Sequence, residues 1–598
     1  MTNLLIFGIG TTEIILIVLI IVLLFGATKI PALMRGIGQG VKSFRAGMEG
    51  KEDTTDKKET SKEDKKQPPI LQQIAMRKIV ATLAAAVAAL AIVGCSHPAS
   101  DDLGALAGQE YLSPVHAGNA ERPFWNGFAK KFMYAPAFDF AEVEGATAYR
   151  YTISNSEGRI AEFTAESPKA ALSPVWSDIP VGQVTLTVEA LDHEGKALQP
   201  VATRDFFRDY GFNPPYHAPV RGYRDAALMG MLYVHTMPQI QHWKSSTEPD
   251  MSYPHNTYPC KIIGATIQVE TLLARELPHL RDEALAIARN AAQFLIDHSR
   301  KEGEPLAYFP PTYYKNLEAS KRLENQGKTM TMEAAAAGEA LLDLYDATGE
   351  QRYLDHAKGI ADTYLRIQNA DGSWPIKLDF ATGEPVNNSK AMLAPLLLYL
   401  LRLENGYNMP QYAEARARGE AWMKSHIIDR FDMTGQFEDV TVLGLHPYEN
   451  LTNCTASPYA SYLLSRNTTD DEMAIAYELV RFSEDQFVYW DQPRDQNGLC
   501  RDACPCVFEQ YKYAMPVDNS ACNVANAMLS IYERTGDKLM LAKATALIDN
   551  ITVVQCVNTG KIPTTWRLRL NYKPTFWINC TYDSVAILLR MEALSQES

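Results

Sequence analysis

Residues 339–365, EALLDLYDATGEQRYLDHAKGIADTYL, and residues 526–551, NAMLSIYERTGDKLMLAKATALIDNI, share one pattern. In each stretch, apolar residues recur at helical spacing on both sides of a Thr-Gly turn, which predicts two helices joined as a hairpin. A single helical hairpin cannot bury its apolar face, so such repeats predict a solenoid or a closed toroid. The same spacing predicts about twelve helices in residues 216–598, near 221–236, 259–276, 280–299, 330–346, 351–368, 389–404, 410–427, 452–465, 470–486, 520–535, 538–552 and 578–595.

The connections between these helices alternate in length. Short turns such as ATGEQRY lead from one helix pair to the next, whereas the loops within pairs are long and rich in aromatic and polar residues, as in TTWRLRLNYKPTFW at 564–577. In an up-down ring of helices this alternation places every long loop on one rim, where the loops form a concave site. The pattern resembles the (α/α)6 toroid of several families of polysaccharide lyases, glycoside hydrolases and uronyl epimerases. That resemblance implies a polysaccharide or oligosaccharide substrate.

The long loops carry candidate catalytic and sugar-binding residues. Hydrolysis of a glycoside needs two carboxyl groups about 5 Å or about 6.5–9.5 Å apart, and the loops contain Asp379, Glu384, Glu438, Asp439, Glu449, Glu509 and Asp518. Of these we predict that the catalytic residues are Asp379, Glu438, Glu449 and Asp518. Sugars stack on aromatic rings and accept fixed hydrogen bonds, so we predict that the substrate-binding residues are His235, Trp374, Lys377, Tyr448, Tyr511, Trp566 and Arg567; Trp577 is a further aromatic candidate.

Three alternatives remain open for this part of the chain. Uronate elimination or epimerisation needs a Tyr, His or Lys base and a group that neutralises the carboxylate, and residues of these types are also present in the loops. A non-catalytic glycan-binding protein would use the same rings. Each carboxylate taken singly could also be a solvated loop charge, and Asp518, which precedes Asn519-Ser520, suits a helix cap.

The part of the chain before the helices has a pattern of apolar and polar residues with a period of two. In residues 132–210 apolar and polar residues alternate between turn signals such as NSEG and DHEG, which predicts a β-sandwich of roughly 75 residues. The segment VWSDIPVGQVTLTVEALD at 175–192 resembles a late strand pair of a fibronectin type III or immunoglobulin-like sandwich. Residues 96–131 are small and polar, which predicts a tether.

Residues 76–95, MRKIVATLAAAVAALAIVGC, have the pattern of an export signal, although they lie inside the chain. A basic pair is followed by about fifteen apolar residues, fewer than the ~20 of a spanning helix, and by small residues. The ending resembles a bacterial lipoprotein signal, which implies lipidation of Cys95. Residues 51–75, which precede this signal, are mostly charged and polar and lack aromatic residues, so we predict a disordered linker.

The first fifty residues combine an apolar run at 4–25 with a basic amphipathic stretch after Pro31. This pattern predicts a short transmembrane helix followed by a helix lying in the membrane interface. The stretch resembles the TatA/TatE family of the twin-arginine translocase. The residues that carry the resemblance are a polar residue at the outer end, a Phe-Gly hinge, a lysine after it, a glycine and the VKSFR block, namely Glu13, Phe25, Gly26, Lys29, Gly38, Lys42 and Phe44.

The resemblance implies a component that exports folded proteins, with TatC and other translocase subunits, further copies of itself and membrane lipid as partners. The apolar run has no Lys or Arg before it and basic residues after it, which predicts a cytoplasmic-membrane protein with its N-terminus outside. Residues beyond Cys95 are then periplasmic or at the cell surface. The chain is thus predicted to join a translocase element to an exported carbohydrate-active toroid; alternatively, the toroid is an independent surface lipoprotein and the fusion is adventitious.

Composition narrows the function further. The formal charge of −14 and the pI near 5.4 argue against a nucleic-acid partner. The Cys500-x3-Cys504-Pro-Cys506 spacing is not that of a zinc site, so we expect no metal and favour a disulfide among these cysteines, Cys522, Cys556 and Cys580. The sequence has no glycine-rich phosphate loop and no dinucleotide fingerprint, so we expect no cofactor.

Overall fold

The computed structural model describes residues 100–116, 127–317, 323–435, 449–492, 502–567 and 576–597, and the chain divides into two compact units at Cys95. Within these ranges, no helix is long and apolar enough to cross a membrane. The predicted span at 4–25, the predicted linker at 51–75 and the predicted export signal at 76–95 lie outside the described residues, as do the predicted site residues Glu13, Phe25, Gly26, Lys29, Gly38, Lys42, Phe44, Cys95, Glu438 and Tyr448.

The second unit begins with helix α1 (Ser100–Glu110) and a β-rich region. Its strands are β1 (Lys131–Phe132), β2 (Ala137–Asp139), β3 (Ala148–Asn155), β4 (Gly158–Ala165), β5 (Lys169–Ala171), β6 (Gly182–Leu191) and β7 (Ala197–Arg208). One sheet has the order β1-β7-β6-β3-β4, and β2 pairs with β5 in a second, two-stranded sheet. Phe138 of β2 lies 6.2 Å from Phe206 of β7, so side chains of both sheets meet in one core. The relation to fibronectin type III domains stays a prediction.

The remaining main helices follow in chain order as α2 (Tyr223–His235), α3 (Pro259–Glu276), α4 (Arg281–His298), α5 (Glu333–Thr348), α6 (Gln351–Ile367), α7 (Ala394–Gly406), α8 (Ala413–Met423), α9 (Asn453–Leu464), α10 (Asp470–Phe487), α11 (Asp518–Thr535), α12 (Lys538–Val554) and α13 (Ile578–Glu597). The twelve helices predicted from spacing are all confirmed. Short strands β8 (Lys328–Met330), β9 (Lys377–Asp379), β10 (Val488–Tyr489) and β11 (Cys506–Val507) pair as β8-β9 and β10-β11 in the connections.

These helices close into a toroid of two rings. The odd-numbered helices from α3 to α13 each contact the next, and α13 contacts α3, so they form a closed inner ring. The even-numbered helices from α2 to α12 pack outside, each against an inner helix. The large all-α toroid predicted from the repeats is therefore present.

The predicted Thr-Gly turns end two inner helices. Gly349 after α5 and Gly536 after α11 have φ of 71° and 73°, the left-handed conformation that glycine adopts without strain. These tight turns lead straight into outer helices. The long connections lie at the other end and enter the N-termini of the inner helices, at 236–258, 299–332, 368–393, 429–452, 488–517 and 555–577. The long loops therefore share one rim, as predicted.

Helix α1 corrects the prediction of a tether at 96–131. Leu103, Ala107 and Tyr111 are spaced four residues apart and give this segment an apolar face that packs into the core. Glu110 accepts a 2.6 Å hydrogen bond from Lys543 Nζ of α12, and Tyr111 donates one of 2.7 Å to Glu484 of α10. The described part of the predicted tether thus includes a helix docked on the outer ring of the toroid.

Candidate functional site

The first turns of the inner helices, with the loop residues beside them, bring together a set of polar and aromatic side chains that we call the mouth. A helix that starts where a long loop ends presents its first side chains to the same rim as the loop. Most of these side chains are only partly buried, whereas the apolar residues one turn further along are in the core. The mouth consists of His255, Lys261, Glu333, Cys454, Glu509, Asp518, Asn519, Trp577, Cys580 and Asp583.

Two carboxyl groups of the mouth, Asp518 of α11 and Asp583 of α13, lie close together. Asp518 is fully buried and accepts hydrogen bonds from the backbone N–H of Asn519 at 2.8 Å and from Ser584 Oγ at 3.1 Å. The amide of Asn519 donates to Asp583 Oδ2. The Asn519 residue therefore links the two carboxyl groups.

Burial makes this pair hard to ionise. Loss of hydration, and then the charge of Asp583, raise the pKa of Asp518 well above its usual value. Loss of hydration also raises the pKa of Asp583 to about 7, against the opposing effect of the Asn519 hydrogen bond. The Asp583 residue keeps part of its surface exposed. A carboxyl group that is still protonated near neutral pH can act as a general acid.

Glu509 supplies a third carboxylate. The backbone N–H of Asn453, at the start of α9, donates to the Glu509 carbonyl at 3.0 Å and fixes this loop against the inner ring. Burial is the main cause that raises the pKa of the Cys454 thiol, and the charge of Glu509 is the second. The same charge also contributes to the raised pKa of Cys580. The Glu509 carboxylate therefore faces the same space as the first turns of α9 and α13.

An aromatic platform lies on the α3 side of the mouth. The His255 ring stacks on Trp577 with centroids 3.9 Å apart, and Lys261 Nζ lies 5.9 Å from the Trp577 centroid. Lys261 also forms an ion pair of 3.3 Å with Glu333. Burial lowers the pKa of His255 to about 4, so its imidazole is neutral at physiological pH. An indole that is only partly buried suits the apolar face of a sugar ring.

The other predicted catalytic residues of the described ranges are not in the mouth. Asp379 accepts hydrogen bonds from Ala381 N at 3.0 Å and Thr382 N at 2.8 Å, and these turn bonds, led by that of Thr382, lower its pKa. Glu449 is exposed, with Lys512 Nζ 3.8 Å away. Among the predicted catalytic residues that the structure describes, Asp518 alone belongs to the mouth; it lies at the start of α11, where Val517 holds the capping position.

The predicted aromatic binding residues are mostly core residues. Trp374 is fully buried and donates from Nε1 to the Tyr364 carbonyl at 2.9 Å, and Trp566 is 2% exposed. Tyr511 donates to Gln486 and accepts from the Lys130 backbone N–H at 3.4 Å, which places it between the toroid and the β-rich region. These positions give the three rings packing roles, and their predicted part in sugar binding stays untested.

The predicted polar binding residues are engaged with protein groups. His235 lies between Glu270 at 2.8 Å and Glu283 at 3.2 Å; burial lowers its pKa, but these carboxylates outweigh burial and raise it. Lys377 donates to Asn325 at 2.8 Å, and Arg567 donates to Asp502, also at 2.8 Å. None of the three is joined to the mouth by a described hydrogen bond or ion pair.

Sequence reasoning identified Asp518, Glu509 and Trp577 as candidate site residues but missed the other seven residues of the mouth. Lys261, His255 and Asp583 were not among the candidates. Lys261 and Asp583 lie in helices whose sequence pattern predicts the buried wall of the toroid, and His255 precedes one of these helices. A usable signal was present. Each lies within a few residues of the point where a long loop enters an inner helix.

Comparisons with known proteins find different relatives for the two ends of the chain. The model of the mttA/Hcf106 family matches residues 7–54. The Sec-independent protein translocase protein TatA of Sulfurimonas denitrificans is 42% identical over 66 residues, which are 11% of this chain and 82% of that protein.

Among solved structures, a family 76 glycoside hydrolase from a bovine Bacteroides thetaiotaomicron strain aligns over 78% of this chain and 98% of its own, with 10% identity and a TM-score of 0.42. A sugar epimerase from a ruminal bacterium aligns over 62% of this chain and 99% of its own, with 13% identity and a TM-score of 0.43.

Proposed function

Because the chain belongs to the mttA/Hcf106 family through its residues 7–54, we propose that this segment acts as a TatA-like component of the twin-arginine translocase. Family membership implies association with the cytoplasmic membrane, with translocase subunits and with further copies of the chain. The predicted span at 4–25 is barely long enough to cross a bilayer, and a span shorter than the bilayer would thin the membrane locally. The basic residues after it would hold the amphipathic helix against anionic headgroups.

Export of a folded reporter with a twin-arginine signal tests this function. The full chain is expressed in a strain that lacks its TatA-type subunits, and the reporter is measured outside the cytoplasmic membrane. We expect export with the wild-type chain, loss with Glu13→Ala or Phe44→Ala, and no change with Lys57→Ala in the linker. A wild-type chain that reaches the membrane and exports nothing would refute the proposal.

For the toroid we propose glycan hydrolysis, and the observation that carries it is the buried acid pair of the mouth. Asp583 has the raised pKa that a general acid needs. Glu509 is the candidate for the second carboxylate, as nucleophile or base, and Trp577 is the candidate platform for the sugar ring. Hydrolysis of a glycosidic bond requires two carboxyl groups in these two roles, and an aromatic ring beside them suits the binding of a sugar.

The charges of the mouth favour hydrolysis over uronate chemistry. Elimination and epimerisation need a cation or amide donors around the substrate carboxylate. Among the described residues of the mouth, the cation is Lys261, and it is paired with Glu333 at 3.3 Å. The carboxylates of Glu333 and Glu509 outnumber it and would repel a uronate. We therefore propose neutral glycans as the substrates.

The detergent-solubilised full chain can be assayed on neutral and uronate-containing polysaccharides. New reducing ends without the ultraviolet absorbance of an unsaturated uronate would indicate hydrolysis. Asp583→Asn and Glu509→Gln should lower turnover by about 10²–10⁴-fold and keep binding, whereas Asp379→Asn should leave both unchanged. Turnover of uronates would overturn the substrate class, and binding without turnover of any glycan would favour a glycan-binding protein.

The localisation of the toroid is a further part of the proposal. We place the N-terminus and all residues beyond Cys95 outside the cytoplasmic membrane, with Cys95 as a lipidation site. Labelling with a radioactive fatty acid should mark the wild-type protein and spare Cys95→Ser. The mass of the native protein decides whether one chain of 66.6 kDa persists or is cut at Cys95.

A further inference from the structure

Two thiols, Cys504 and Cys506, lie side by side in the connection that leads to α11. Their Sγ atoms are 3.8 Å apart. Cys506 is buried in strand β11, which pairs with β10, and Cys504 is partly exposed. A disulfide needs its sulfur atoms at about 2 Å, so the two side chains must rotate towards each other to form the bond.

The backbone around the pair is held from both sides. Asn550 Nδ2 of α12 donates to the carbonyls of Ala503 and Pro505, each at 2.9 Å. Asp502 is fixed by Arg567 at 2.8 Å and by Gln492 at 2.9 Å. These bonds hold the backbone around the two sulfur atoms, and the Cys504 residue stays partly exposed.

We propose that Cys504 and Cys506 form a thiol–disulfide exchange site, whose co-substrate is a small disulfide such as oxidised glutathione. The Cys504 thiolate attacks one sulfur of that disulfide, forms a mixed disulfide and releases one glutathione thiolate. The Cys506 thiol then loses its proton and attacks the Cys504 sulfur, which releases the second glutathione. The protein loses two electrons and two protons, and the co-substrate becomes two thiols.

Burial distinguishes the two steps. Loss of hydration, and next the neighbouring Cys504, raise the pKa of Cys506 well above its usual value. Because the thiolate is the attacking form, Cys504 should react first and Cys506 should close the disulfide more slowly. The site needs no part of the glycan proposal, and a failure of either leaves the other standing.

Peptide mapping of the full chain tests this site. Trypsin cuts after Arg501 and Lys512, so residues 502–512 form one peptide that contains both thiols and no other cysteine. After treatment with oxidised glutathione and alkylation, we expect this peptide to be lighter by two hydrogen atoms and unalkylated. Cys556 is exposed and should carry glutathione, which shows that the reagent is active, whereas buried Cys260 should stay a thiol.

Single substitutions identify the order of attack. Cys506→Ser should trap a stable glutathione adduct on Cys504, and Cys504→Ser should leave Cys506 unmodified. A wild-type protein whose two thiols are both alkylated after oxidation would overturn the proposal. So would a stable glutathione adduct on wild-type Cys504, or a link from Cys504 to Cys500, which lies outside the described residues.

Discussion

Replacing Asp583 by asparagine should stabilise the protein at neutral and alkaline pH and leave its stability nearly unchanged in acid. The Asp583 carboxyl group has its pKa raised from 3.8 to about 7 by burial. In the unfolded chain the group ionises readily, whereas in the folded chain it resists ionisation. As pH rises from about 4 to about 7, the free energy of the unfolded state therefore falls relative to that of the folded state, and the protein loses stability.

The size of the effect follows from this shift. A difference of about three pKa units corresponds to about 4 kcal/mol at about 1.4 kcal/mol per unit. Asp583 is partly exposed, and solvent reduces the effect, so we expect a gain of about 1–3 kcal/mol above pH 7. The amide substitution keeps the side-chain volume and an oxygen that can accept from Asn519. It also removes the charge that raises the pKa of Asp518.

Urea unfolding of the full chain, followed by tryptophan fluorescence between about pH 5 and about pH 8, measures this gain. Asp379→Asn is the matched control. Turn hydrogen bonds lower the pKa of Asp379, so its carboxylate contributes stability at neutral pH that is lost as pH falls through its folded pKa. The Asp379→Asn substitution should therefore destabilise the protein at neutral pH, and this loss of stability should become smaller as the pH falls.

Two outcomes would refute the reasoning about Asp583. A substitution that gives no gain above pH 7 would mean that the carboxylate is well solvated in the folded protein. A gain of the same size at every pH would mean that it comes from packing and not from ionisation. Either result would remove the physical basis for a general acid in the mouth.

Two further substitutions test the packing of the toroid by the same urea measurement. Lys543→Met should cost about 3–5 kcal/mol, because it leaves the buried Glu484 carboxylate without its cation at 2.8 Å; Lys358→Met, at a half-exposed ion pair, should change stability by less than about 1 kcal/mol. Gly338→Ala in α5 should cost about 1–3 kcal/mol, since the added Cβ would lie 2.5 Å from the Tyr399 hydroxyl oxygen. A cost for Lys543→Met no larger than that for Lys358→Met, or a neutral Gly338→Ala, would contradict the described packing.

The helices and the closed ring could be predicted because their signals are local. Helical spacing and a Thr-Gly turn both occur within the sequence of one hairpin. Gly349 and Gly536 adopt the left-handed conformation that such a turn needs. Helix α1 was missed for the opposite reason. Its stretch is rich in Gly and Ala, and its polar partners, Glu484 and Lys543, are more than three hundred residues away in sequence.

The site was harder to predict, because the sequence shows that a loop contains an aromatic or charged residue but does not show whether its side chain lies in the site or in the core. Trp374 and Trp566 occur in long loops, yet the loops fold down onto the helices and these indoles fill the core. Asp583 occurs in a helix beside the polar residues Thr581 and Ser584, and a solvated helix position would show the same pattern. Only the closure of α13 against α11 places it beside Asp518.

Two sets of buried carboxyl groups in this protein can be compared, and the comparison favours a chemical role for the mouth. Glu484 is held by Lys543 and by the hydroxyls of Tyr111 and Tyr134. Burial opposes its ionisation, but these partners outweigh burial and lower its pKa. That carboxylate is neutralised, as a structural buried charge must be. Within the described ranges, Asp518 and Asp583 form no ion pair, and their pKa values are raised. A buried pair left without a cation costs stability at neutral pH, and such a cost is typical of a functional site.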